Sequence, residues 1–213
     1  MPSWRPASRA PHRGESEAGR AVTTACAVVL AVLTASPALA HTGGSLAGGF
    51  AGGFAHPLFG PDHIVAMVAV GLWGAFLGAP AIWLLPIVFP LVMAFGGVLG
   101  ILGIAVPWVE TGIALSAVVL GLMVAFGARP PLAVAAVLVG VFAIFHGYAH
   151  GTELPPGADV VAYSVGFVVA TGLLHLVGIA LGTLTRWPAG RYAVRAAGGA
   201  IAVAGVVFLG VFE

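Results

Sequence analysis

Histidine is the residue type that stands out. Five histidines lie in or at the ends of apolar stretches: His56, His63, His146, His150 and His175. Ionisable groups at membrane depth are costly to bury and mark function where they occur. The first group is His56-Pro57-Leu58-Phe59-Gly60-Pro61-Asp62-His63. On an ideal helix seven residues turn through about 700°, so His56 and His63 share a face with Gly60 and Met67, and Asp62 sits about 100° away. Pro57 and Pro61 distort such a helix. A break there would free backbone carbonyls to line a cavity. The second group is Phe145-His146-Gly147-Tyr148-Ala149-His150-Gly151-Thr152-Glu153. His146 and His150 stack at i and i+4, and Glu153 continues that face if the helix persists. Two imidazoles at that spacing with a carboxylate form a transition-metal set. His175 stands apart, roughly 24 Å along a helix from its outer end, where it reads either as a deeper ligand or as a packing residue.

Imidazole nitrogens with a few carboxylate oxygens suit Ni, Co, Cu(II) or Zn, whereas Mg and Ca prefer oxygen alone. The one cysteine, Cys26, leaves no Cys-based site, and Met67 is the only thioether near the histidines, which disfavours a Cu(I) carrier. Spacing does not separate nickel from cobalt or zinc. No HExxH pair supports an intramembrane metalloenzyme, so the chain reads as a non-enzyme, and no nucleotide-binding motif points to ATP coupling.

The elements that must position these side chains are membrane spans. The chain has 213 residues, 60% hydrophobic and 7% charged, against about 25% charged in an average soluble domain. Lysine is absent, and eight Arg face seven Asp and Glu. That composition excludes disorder and leaves no basic patch for nucleic acid. Residues 1–20 carry Arg5, Arg9, Arg13 and Arg20, an apolar run extends from Ala21 to Leu33, and Ser36-Pro37-Ala38-Leu39-Ala40 follows. This pattern predicts a signal peptide over 1–40, cleaved after Ala40. His41 would then be the new N-terminus, where its amine and imidazole could chelate a metal together. Residues 41–53 are Gly-rich and read as a lead-in. Six spans are predicted at about 54–78, 81–104, 108–127, 130–148, 159–184 and 192–212, each long enough to cross a hydrocarbon core. This is an all-α integral membrane protein with one membrane domain over 41–213. A cleaved signal peptide and six spans put both mature termini outside the cytoplasm. The cytoplasmic loops then hold Arg129, Arg186, Arg191 and Arg195, and the other side holds Glu110, Glu153, Asp159 and Glu213. The positive-inside rule asks for that bias. Gly96 and Gly100, and Gly178 and Gly182, have the spacing of close helix packing.

Taken together, the motifs resemble the HupE/UreJ family of membrane proteins. The likeness rests on HPLFGPDH at 56–63 with Ala66-Met67 and Val70-Gly71-Leu72-Trp73, on FHGYAHGTE at 145–153, and on Leu174-His175 with Gly178. A start at His41-Thr42-Gly43 after a signal peptide fits as well. The first motif is also similar to the His-x4-Asp-His motif of the nickel/cobalt transporter family. Here, however, five residues separate His56 from Asp62, which points to a neighbouring family. The resemblance implies a permease of the bacterial inner membrane that imports Ni²⁺ or Co²⁺ for hydrogenase or urease. Its metal site would comprise His56, Asp62, His63, His146, His150 and Glu153, with His175 as a deeper relay. The ion is cargo, and no prosthetic cofactor is expected. The expected partners are the metal ion, the lipid bilayer and further copies of the chain. The alternative is a membrane accessory protein or sensor that binds metal without moving it.

Overall fold

The computed structural model describes residues 48–211, which are all-helical. The expected signal peptide, Cys26, His41 and Glu213 lie outside the described residues. The helices are α1 (Phe50–Phe59), α2 (Pro61–Leu77), α3 (Ala81–Ile101), α4 (Val109–Phe126), α5 (Leu132–Thr152), α6 (Val160–Gly182) and α7 (Pro188–Val211). A 3₁₀ turn (Thr183–Arg186) joins the last two. Helices α3 to α7 are each long and apolar enough to cross a membrane, and α1 with α2 makes a sixth such unit.

That sixth unit is not one straight helix, as the shared-face reading of His56 and His63 assumed. Its two halves meet at 82°. The cause is local. Pro61 has no N–H to give the Pro57 carbonyl, and a residue before proline is pushed out of the helical region. Gly60 accordingly adopts an extended conformation, φ −85° and ψ 108°. The carbonyls at the break are only partly freed. Gly60 N–H still donates to the His56 carbonyl at 3.2 Å, and Ile64 N–H to the Gly60 carbonyl at 3.0 Å.

Helix α3 pairs chiefly with α5, α4 with α7, and α6 with both α1 and α2. Glycines set these distances. A Cβ on Gly147 would overlap the Met93 carbonyl, and one on Gly100 would stand 3.0 Å from the Gly151 Cα. Gly178 and Gly71 meet in the same way across α6 and α2. Helix α3 is apolar all round, as a membrane span is. Trp83, Ile87, Leu91 and Phe95 form an exposed stripe, while Leu85, Phe89 and Met93 are buried.

Charge segregates by end. Arg129 lies over the Phe76 ring at 4.9 Å, and Arg195 donates to the Ala125 carbonyl at 2.6 Å. Trp73 Nε1 ties α2 to the same loop through the Ala128 carbonyl at 3.0 Å. The arginines thus gather where α2 ends and α5 begins. Glu153 and Asp159 lie at the other end, where Asp159 caps α6 by accepting from Val161 N and Ala162 N.

Candidate metal centre

The break at Gly60 turns α1 across the mouth of the bundle and points two histidines at one place from two directions. His56 arrives from the last turn of α1, His63 from the first turn of α2, and His150 from the last turn of α5. Each offers a ring nitrogen, and the three nitrogens lie within 4.8 Å of one another. His63 and His150 are buried and His56 is partly so. Their rings pack edge-on or tilted, with centroids 5.7 Å apart for His56–His63, 4.8 Å for His56–His150 and 4.5 Å for His63–His150. Phe167 backs the group at 4.2 Å from His150.

The closest approach is between Nε2 of His63 and Nε2 of His150, at 2.6 Å. One of them must donate and the other accept. Asp62 decides which. Its Oδ1 lies 2.9 Å from His63 Nδ1. The contact is off the N–H axis, so it is an electrostatic contact and not an aligned hydrogen bond. A carboxylate there still favours a proton on Nδ1, which leaves His63 Nε2 as acceptor and His150 Nε2 as donor. Two nitrogens that bind one ion at roughly 2.0–2.1 Å stand about 3 Å apart. A metal would therefore displace the shared proton and part the rings by a few tenths of an ångström.

His146, at 0% exposure, lies below this group with its ring 5.2 Å from that of His63. Its Nε2 is 2.9 Å from the Ser116 hydroxyl, which itself donates to the Ile113 carbonyl at 2.6 Å. The hydroxyl has spent its proton, so it accepts from His146 Nε2–H. The free lone pair of His146 is therefore on Nδ1, which is buried and has no partner among the described residues. Helix α5 ends at Thr152 with Glu153 as its C-cap, and the Glu153 N–H still pairs with the Ala149 carbonyl at 2.9 Å. Glu153 reaches the site from the end of the helix, with its Oε2 3.9 Å from His56 Nε2 and its side chain half exposed. Burial raises its carboxyl above the ordinary range, His63 opposes that, and Glu110 and Asp62 reinforce it. His175 is elsewhere, two turns below Phe167 on α6, and does not join the three-histidine group.

Sequence reasoning missed Ser116 and Phe167, and it placed Glu110 at the outer end without assigning it to the site. Ser116 is a lone hydroxyl in an apolar helix, and an inventory of every polar residue at membrane depth would have flagged it. Glu110 opens α4 and acts electrostatically on both Asp62 and Glu153. Its place at the mouth depends on how α4 packs, which its own neighbours in sequence do not reveal.

Comparison with known proteins bears on this geometry. A family model described as HupE / UreJ protein matches residues 29–208. The chain is 49% identical over 187 residues to Protein HupE of Rhizobium leguminosarum bv. viciae, a match that covers 88% of this chain and 95% of that protein. No solved structure matches.

Proposed function

Because the chain belongs to the HupE/UreJ family, we propose that it is a permease that imports Ni²⁺, or Co²⁺, across the bacterial inner membrane to supply hydrogenase or urease maturation. The observation that carries this reading is the convergence of His56, His63 and His150 within 4.8 Å at the carboxylate-bearing end of the bundle. In the proposed topology that end faces outward, and a signal peptide over 1–40 delivers it there.

The three imidazoles replace water on the incoming ion. Asp62 acts through His63, holding Nδ1 protonated so that Nε2 faces the metal; carboxylate–histidine pairs behind metals work in this way. Glu153 and Glu110 offset the ion's charge at the mouth. His146, fixed by Ser116, offers Nδ1 as the next ligand inward, and His175 lies deeper still. Few ligands engage the ion at once, so that it can be released, as conduction requires.

The deciding experiment is radioactive nickel uptake into vesicles that contain the purified protein, with cobalt and zinc as competitors. Saturable uptake that His63→Ala abolishes supports the permease. Nickel binding without flux would identify a metal-holding accessory protein or sensor instead.

A further inference from the structure

Beneath the histidine cluster, α6 carries two more buried polar side chains. Thr171 is 0% exposed and His175 is 1% exposed. Among the described residues, neither the Thr171 hydroxyl nor either ring nitrogen of His175 has a hydrogen-bond partner. Buried polar atoms are almost always paired, because an unpaired one is destabilising. Three such atoms within one turn of a helix call for a cause. The two residues are four apart and so share a face of α6.

Across from them, α3 supplies a third donor. The Pro86 carbonyl faces His175 without forming an aligned hydrogen bond. Pro90, four residues on, has no N–H to pair that carbonyl within the helix. The buried imidazole of His175 thus has the Thr171 hydroxyl one turn away on its own helix and the partly buried Pro86 carbonyl facing it from α3. Its boundary with the outer cluster is Phe89, fully buried, whose ring lies 5.6 Å from His146 on one side and 5.6 Å from His175 on the other. Phe167 marks the outer level on α6, and His175 is eight residues further, or roughly 12 Å.

We propose that His175, the Thr171 hydroxyl and the Pro86 carbonyl form a second, weaker station for a partly dehydrated divalent transition-metal ion, separated from the outer cluster by Phe89. The proposal rests on the permease reading of the outer cluster. All three donors are neutral, so the ion is held less tightly than beside Asp62 and Glu153. A pathway needs that ordering if the ion is to leave. The mix of one nitrogen and two oxygens suits the same borderline ions as the outer site.

The probe is Ni²⁺ itself. Equilibrium dialysis of the purified full-length protein in lipid nanodiscs counts ions per chain at saturation, and proteoliposomes give the flux. The parent should bind two ions, and the His63→Ala, His150→Ala double variant one. Thr171→Val and His175→Leu keep the side-chain volume and remove the donor. Each should bind one ion with the outer affinity unchanged and transport at least tenfold more slowly. Each should melt at or above the parent temperature, because an unpartnered polar group has gone. A residue that only packs would show the same melting and undiminished flux. If His175→Leu fails to fold, Thr171→Val decides alone. One ion per parent chain, with parental flux in Thr171→Val, overturns the inner station and leaves the outer reading standing. Parental binding in the double variant defeats the outer reading, and the inner station with it.

Discussion

In the proposed site, Asp62 acts through the nitrogen that its charge leaves His63 free to offer. Its Oδ1 stands at His63 Nδ1, so Nε2 is the atom presented to His150 and to any ion between them. Asp62→Asn keeps the shape and removes the charge that fixes this tautomer. Loss of such supporting groups typically lowers metal affinity by roughly 10–100-fold, and nickel titration of the purified variant should fall in that range. His63→Ala and His150→Ala should cost more, since each removes one of the three converging ligands. Ser116 plays the corresponding part for His146. In Ser116→Ala the ring Nε2–H loses its acceptor in a fully buried place. Stability should drop by about 1–3 kcal/mol, read by thermal melting, and nickel affinity should fall with it because Nδ1 is no longer the enforced lone pair. The histidines were legible in the sequence because an imidazole has little business in an apolar stretch. Ser116 was not, because a hydroxyl in an apolar helix ordinarily serves only its own backbone, as this one also does toward Ile113.

The broken span is the element on which the site depends. Pro57 and Pro61 announced a distortion, but the 82° bend brings His56 to His63 by a route that ideal helical geometry does not offer. The two residues do meet, for a reason other than their seven-residue spacing. Pro61→Ala tests the break directly. It restores an N–H that can pair with the Pro57 carbonyl and lets α1 run on into α2, which swings His56 away. Nickel affinity should fall to the level of His56→Ala, and the protein should remain folded in the membrane. The other long helices were readable from apolar length and from Gly, Pro and charge at their ends. Helix α5 runs through Thr152, beyond the predicted end at 148, and so places His150 on the helix. The glycine spacings predicted close packing, and their partners emerge from the fold: Gly147 and Gly151 lie against α3 and hold His146 and His150 in register. Gly147→Ala should therefore melt earlier than the parent, since a Cβ there meets the Met93 carbonyl. That loss outweighs the roughly 1 kcal/mol by which alanine is the better helix former.

At the scale of the whole molecule the governing asymmetry is charge. Arg129, Arg186, Arg191 and Arg195 lie toward one end, and Glu110, Asp62, Glu153 and Asp159 toward the other. Arginine near span ends favours the cytoplasmic side, so the proposed topology turns the histidine cluster outward. The direction has an energetic consequence. An inside-negative potential favours inward cation movement by about 2.3 kcal/mol per elementary charge per 100 mV, hence about 4.6 kcal/mol for a divalent ion. In the proposed orientation the site would take its ion where that fall begins, and the potential alone would favour inward transfer. Thiol labelling in whole cells tests the orientation. In a Cys26→Ser background, Pro156→Cys places a thiol on the exposed loop beside Glu153, and Ala189→Cys places one among the arginines; both positions are exposed. A membrane-impermeant maleimide should label the first in intact cells and the second only after permeabilisation. The opposite pattern would put three imidazoles and their carboxylates in the cytoplasm. A cation leaving from there climbs the potential, so the cluster would then hold or sense metal inside the cell, and the importer reading would lose its direction.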